Sequence, residues 1–208
     1  MVERALLGQP VDIVAPRLLG TVVEHRGGKG GRASVAVRIT EVEAYAGVGA
    51  DPASHAHRGP TARNAPMFSG PGHLYVCFVY GRHWCLNVVC GSVGEASAVL
   101  LRAGEVVRGR DVARERRGEL IADHELARGP ANLSVALGLT GEANGIDLLD
   151  PSSAVRLQSP TDDAQASCEV ACGPRVGIRR AADRPWRWRI EGDPTVSRHP
   201  GVRRDATR

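Results

Sequence analysis

Apolar and polar positions alternate with a period of two along Ser34 to Tyr45, SVAVRITEVEAY. Val35, Val37 and Ile39 share one face, the pattern of a half-buried strand. If the strand stays extended, the same parity carries Glu41, Glu43 and Tyr45 toward the apolar side. A carboxylate there is costly to desolvate, so it is paired or carries a shifted pKa. The plainer reading is a strand end whose acid leaves the sheet into water. Glu43 is the candidate chemical centre.

The rest of the pattern supplies further elements. Residues 8–20, GQPVDIVAPRLLG, predict a short helix with Pro10 at its first turn and Gly20 at its end. Thr21 to Arg26 reads as a strand and Gly27 to Gly31 as a hairpin loop. Ala46 to Gly72 is a long Gly/Pro-rich loop carrying His55, His57, Arg58, Arg63 and Asn64; ordered loops of that length are often functional. Leu74 to Tyr80, LYVCFVY, is nearly continuous and apolar, as for a central strand buried on both faces. Gly81-Arg82-His83 then turns the chain into a return strand, Trp84 to Cys90, leaving Tyr80 at a hairpin tip. Ala96 to Ala103 is another core strand, with Arg102 at its end. Arg108 to Ala127 reads as a charged helix, Ala131 to Leu139 as a short second one, and Val155 to Leu157 as a short strand. Gln158 to Ser167 reads as a mobile loop. Gly173 to Ile190 suggests a strand, a basic turn and a final strand holding Trp186 and Trp188. Arg198 to Arg208 reads as a frayed basic tail.

With 208 residues, the chain has the size of one domain with a real core. No apolar run approaches the roughly 18 residues of a membrane span. The N-terminus lacks a charged-then-apolar signal pattern. The cytoplasm is the expected compartment, alongside the nucleoid in a bacterium. Cys77, Cys85, Cys90, Cys168 and Cys172 are an odd set, which argues against a disulfide framework. The net charge of +4 comes almost entirely from arginine, with Lys29 the single lysine; it fits a polyanionic partner without requiring one.

Several residues invite chemistry. Arg102, emerging from a buried strand, calls for a carboxylate; Glu43 on a neighbouring strand would meet it, either as a structural ion pair or as part of a site. Asn87, amid an apolar strand, needs partners and is either a bridge or a site residue. Tyr80 is either a packed strand end or a presented aromatic. His55 and His57 offer two imidazoles, but the usual metal-ligand spacings are absent. GGKGG lacks the spacing and the following helix of a phosphate loop.

The ordered series EVEAY, DPASHAHRG, TARN, LYVCFVYG, CLNVV, VLLRA, RGPANL, NGIDL and PRVGI-x-x-AADRPWRW resembles the alkyladenine (3-methyladenine) DNA glycosylases over about residues 13–197. The resemblance implies a single mixed α/β (α+β) domain over 1–208. Its curved antiparallel sheet would be flanked by helices, like the C-terminal domain of formyltransferases. It implies no cofactor or metal, and a monomer acting on double-stranded DNA with damaged purines rather than at a membrane. Glu43 then matches the general base, and Arg102 and the Val176 backbone carbonyl match groups that hold its water. Tyr45 and His55 match residues that sandwich the extruded base, and Asn87 a residue that restricts normal guanine. Tyr80 matches the tyrosine that fills the vacated space; we assign Arg63, Gly81 and Arg82 to DNA beside it. Cys77 departs from the pattern, standing where relatives have a stacking tyrosine, which implies a wider pocket or weaker stacking. Asn132 stands where lysine is common.

The implied activity is monofunctional excision of alkylated purines, 3-methyladenine and 7-methylguanine, by a Glu-activated water, with the neutral base hypoxanthine as a further candidate that would need added protonation. Competing readings are a glycosylase for bulky adducts, a non-catalytic DNA-binding relative, and a metal-dependent hydrolase using His55 and His57.

Overall fold

A computed structural model describes residues 2–27, 34–160 and 169–197. Most of the GGKGG turn, the 158–167 loop, Cys168 and the basic tail therefore lie outside the described residues. Two short helices open the chain, α1 (Arg4–Leu7) and α2 (Val11–Arg17), then strands β1 (Val22–His25) and β2 (Val35–Tyr45). A long turn-rich segment leads to β3 (Leu74–Val79), β4 (His83–Cys90) and β5 (Ser97–Arg108). Helix α3 (Arg110–Arg117), β6 (Ala127–Arg128), α4 (Pro130–Leu137), β7 (Val155–Gln158), β8 (Val170–Gly173) and β9 (Arg187–Ile190) follow. The strands form one antiparallel sheet with the path β3-β4-β5-β2-β1-β7; β6 pairs with β5, and β9 with β2 and β8. This is a mixed α/β fold around a curled antiparallel sheet. Among the described residues no helix is long and apolar enough to cross a membrane.

The sheet has two unlike faces. One carries Val35, Val37, Ile39, Val76, Leu86, Val88, Val99 and Leu101, packed with Val14 of α2 and with Leu133 and Leu137 of α4 in the main core. The other carries a smaller cluster, Tyr75, Cys77, Cys85, Val89 and Ala98, closed by Ala56 and Met67 from the 46–72 segment.

The period-two expectation for β2 needs correction at its centre. The pairing of β2 with β5 shifts register between Ile39 and Glu41 and again between Glu41 and Val42. A bulge adds a residue without a partner and reverses which side chains face the core. Val42 and Ala44 therefore join the same core as Val35, Val37 and Ile39. Glu41, Glu43 and Tyr45 consequently turn to the opposite face, not to the apolar side as strict alternation implies.

Other boundaries differ too. LYVCFVY forms an edge strand rather than a central one. Its free edge is covered: the Val76 amide donates to Asn144 Oδ1 at 2.9 Å and the Leu74 amide to the Ile146 carbonyl at 2.8 Å. That cover keeps the strand apolar without a second neighbour. β5 runs on to Arg108, placing Arg102 mid-strand rather than at an end. The charged segment after it is helical only over Arg110–Arg117, because Gly118, at φ 119°, leaves the helix. β8 ends at Gly173, so PRVGI is loop rather than strand, and β9 takes in Trp188 but not Trp186.

Candidate active site

The second face of the sheet holds a cavity of about 320 Å³. Tyr45, His55, Cys77, Tyr80, Asn87, Arg102 and Val176 all line it. They come from β2, the 46–72 segment, the β3–β4 hairpin, β5 and the loop before β9. Four elements and two loops thus bring the sequence candidates to one place. Arg63, Gly81 and Arg82 are exposed around the hairpin and do not line the cavity.

Glu43 has no exposed surface. Its Oε2 accepts the Tyr45 hydroxyl at 2.8 Å, and its Oε1 accepts the Val176 amide N–H at 2.7 Å. Arg102 Nη1 stands 3.3 Å from the same Oε1. All three donors line the cavity; Glu43 itself does not, and sits directly behind them. Burial, then the Glu43 charge, raises the Tyr45 pKa beyond its ordinary value, so the phenol remains a donor. The sequence resemblance implicates the Val176 carbonyl; the group on Glu43 is its amide. Only a backbone donor can be supplied by so apolar a residue, which is why its side chain gives no hint of the contact.

Arg102 is shared. Its Nε donates to Glu41 Oε1 at 2.8 Å, so one guanidinium bridges both acids of EVE. Burial alone would lower its pKa, but the charges of Glu43 and Glu41 outweigh that and raise it. The remaining bonds to Glu41 come from Arg187 Nε at 2.6 Å, the Ser197 amide at 2.7 Å and the Ser197 hydroxyl at 2.9 Å.

The upper walls are aromatic and thiol. Tyr45 is backed by Arg175, whose guanidinium carbon lies 4.7 Å from the ring centroid. Arg175 is itself fixed by a fully buried pair with Asp51, 2.6 Å between Nη1 and Oδ2, and by the Ala44 carbonyl at 2.9 Å. His55 Nδ1 shares a 3.1 Å hydrogen bond with the Tyr75 hydroxyl, and the two rings meet edge-on. Asn87 is both bridge and lining. Its amide nitrogen donates to the Tyr75 carbonyl at 3.1 Å and lies 3.7 Å from Cys77 Sγ. Asn132 stays outside the cavity, donating to the Arg128 carbonyl at 2.7 Å. Among the described residues no group of three or more His, Cys, Asp or Glu could hold a metal ion. His55 and His57 therefore lack further ligands of those types.

At the hairpin tip Tyr80 is 84% exposed. Tyr80 and Gly81 have φ of 52° and 64°, and the Arg82 amide closes the turn on the Val79 carbonyl at 3.1 Å. Two consecutive left-handed residues are the mark of a tight hairpin turn that favours Asn, Asp or Gly. A tyrosine there is strained, and such strain clusters at functional positions. Arg63 props the hairpin by donating to the Phe78 carbonyl.

Sequence reasoning placed Glu41 on one strand face with Glu43 but gave it no role, and missed Asp51, Tyr75 and Arg175. Asp51 had no signal beyond being an acid in a loop, and Arg175 was one arginine among many.

A profile of the methylpurine-DNA glycosylases matches residues 5–194. The chain belongs to that family. It is 51% identical over 197 residues to a protein of Leifsonia xyli subsp. xyli, covering 90% of this chain and 88% of that one. It is 50% identical to a Frankia casuarinae protein, covering 91% and 88%, and 48% identical to one of Cutibacterium acnes, covering 92% and 96%. All three carry the provisional name of a 3-methyladenine DNA glycosylase.

Proposed function

We propose that this glycosylase excises alkylated purines from duplex DNA, with 3-methyladenine and 7-methylguanine as the leading substrates, and leaves an abasic site. The observation that carries the reading is a fully buried Glu43 held by three donors that all line one cavity beside an exposed, strained tyrosine.

The target bond lies inside a stacked duplex, so the nucleotide must be rotated out at a cost of a few kcal/mol, least for a damaged base. Tyr80 fills the gap, while Arg63, Gly81 and Arg82 meet the strand beside it. The base enters between Tyr45 and His55, whose flat faces favour an electron-poor, alkylated ring. Breaking the glycosidic bond builds positive charge on the sugar, which the Glu43 carboxylate stabilises. Glu43 also takes a proton from the attacking water. A carboxylate has about four lone-pair positions, so the three donors on Glu43 leave one acceptor position for that water. Arg102 and the Val176 backbone hold both in place. A base alkylated at N3 or N7 leaves as a neutral molecule, and its departure needs no added acid.

A second reading, favoured by Cys77, is a preference for bulkier adducts, since a thiol occupies the wall where a stacking ring would otherwise stand.

The test is to treat duplex DNA with a methylating agent, add the full chain and identify the released bases by chromatography. Release of 3-methyladenine and 7-methylguanine, with no borohydride-trapped protein–DNA adduct, is the expected result. A trapped adduct, or DNA binding without release of any base, would overturn the reading.

A further inference from the structure

The free cysteines among the described residues occupy very different surroundings. Cys90 lies wholly within the main core, and burial raises its pKa far above the ordinary thiol value. Cys77 and Cys85 sit instead on the cavity face. They are directly opposed in the antiparallel pairing of β3 with β4. Both are buried, both line the cavity, and both are reduced. Their neighbours along the strands, Phe78 and Trp84, pack against one another at 4.7 Å. Alternation sends that pair to one side of the hairpin and the two thiols to the other.

The polar groups around Cys77 all favour its thiolate. The adjoining Cys85 thiol does so most, against desolvation, and His55 and the Asn87 amide, 3.7 Å from Cys77 Sγ, add to this; together they hold the Cys77 pKa below the ordinary thiol value. Cys85 moves the opposite way, raised by the neighbouring Cys77 and by burial. Such a pair consists of a nucleophile and a partner within reach. Directly opposed residues have Cβ atoms about 4.5–5.5 Å apart, and a disulfide needs about 3.5–4.5 Å. The Leu74 and Val76 amides point away from β4, to Ile146 and Asn144, so Cys77 and Cys85 fall at a hydrogen-bonded pair, the wide end of the cross-strand range, and the two strands need to close by about 1–2 Å. The residual strain keeps the bond easily reduced.

We propose that Cys77 and Cys85 form an oxidative modification site in the pocket wall, in which a hydroperoxide links the two strands by a disulfide and shuts the cavity to the base. The Cys77 thiolate attacks the terminal peroxide oxygen. The O–O bond breaks, leaving a sulfenic acid on Cys77 and a hydroxide that takes up a proton. The Cys85 sulfur, giving up its proton, then attacks the Cys77 sulfur, and the S–O bond breaks with loss of water. Two thiols are oxidised by two electrons and one hydrogen peroxide is reduced to two waters. Linkage draws β3 toward β4, pulls Cys77 Sγ off Asn87 and displaces the hairpin that carries Tyr80.

The proposed effect on excision rests on the glycosylase reading above, whereas the covalent link does not. The full chain is treated with stoichiometric hydrogen peroxide, the remaining thiols are capped with iodoacetamide, and trypsin cleaves after Arg63, Arg82 and Arg102. Cys77 and Cys85 then lie on separate peptides, 64–82 and 83–102. The expected product is a linked peptide pair whose fragmentation places the bond at Cys85 and leaves Cys90 capped. Dithiothreitol should abolish the link, and Cys85→Ser should not form it. Base release should fall about tenfold on linkage, the scale of losing one stacking contact, and return on reduction. Peptides 64–82 and 83–102 that stay unlinked would overturn the site, as would a link through Cys90. A link that leaves base release unchanged would overturn its effect on the pocket. If the protein releases no base even when reduced, the glycosylase reading fails and the peptide result still decides the modification site.

Discussion

Glu41 and Glu43 stand two residues apart on one strand, both fully buried and both touched by Arg102, yet their donors face different spaces. Glu41 has no exposed surface, and its donors Arg187 and Ser197 line a separate cleft beside β8 and β9. It receives two guanidiniums and both donors of Ser197, and of these groups only Arg102 lines the cavity. Burial would raise its pKa, but the charges of Arg102 and Arg187 and the bonds from Ser197 outweigh that and hold it below the ordinary value. Glu43 receives one guanidinium, one phenol and one backbone amide, all from the cavity wall. Burial alone thus does not distinguish the two acids; the space their donors face does.

The largest effect that sharpens this contrast is on stability. Glu41→Ala strands two buried guanidiniums and should cost about 3–5 kcal/mol, the usual penalty for breaking a buried ion pair. Urea unfolding measures it. A cost under about 1 kcal/mol would reduce Glu41 to the standing of a surface pair.

Next in size is the acid limb of stability. Burial pushes Asp51 up, but the hydrogen bonds from Arg175 and the Ala53 amide, with the Arg175 charge, hold it below the ordinary carboxylate value; Asp193 is held down in the same sense by Thr195 and Arg38. A carboxylate lowered by folding adds stability above its unfolded pKa and loses it as pH falls through the folded one. The contribution of these two carboxylates to the unfolding free energy should therefore be full down to about pH 5 and drop steeply below about pH 4. Asp51→Asn should flatten that drop. An unchanged acid limb in the variant would remove Asp51 from the account.

The smallest stability effect is at Tyr80. Tyr80→Asn relieves a left-handed tyrosine and should leave stability unchanged or raise it by up to about 1 kcal/mol. Binding of lesion-containing duplex should nevertheless weaken. Stronger or equal binding by the variant would sink the wedge role.

These contrasts also mark what the chain discloses on its own. The strands around the site are legible because apolar runs broken by Gly and Pro leave few alternatives, and the ordered motifs pointed to one family. The bulge at Thr40 to Val42 was not legible: nothing in RITEVE distinguishes an extended strand from one with an added residue, and only the pairing with β5 reveals it. The Arg175–Asp51 pair was hidden for a different reason. Its members are 124 residues apart, and in an arginine-rich chain no local cue singles out the buried one. Cys85 counted in the sequence only as one of an odd set of thiols, because its meaning comes from standing opposite Cys77.

Glu43→Gln tests the central claim most directly, since it keeps the shape of the side chain and removes its charge. Single-turnover release of 3-methyladenine is measured beside binding of the same duplex. The account expects near-normal binding with release slowed at least about 10²-fold, the range for losing a general base; release within a few-fold of the unaltered chain would contradict it.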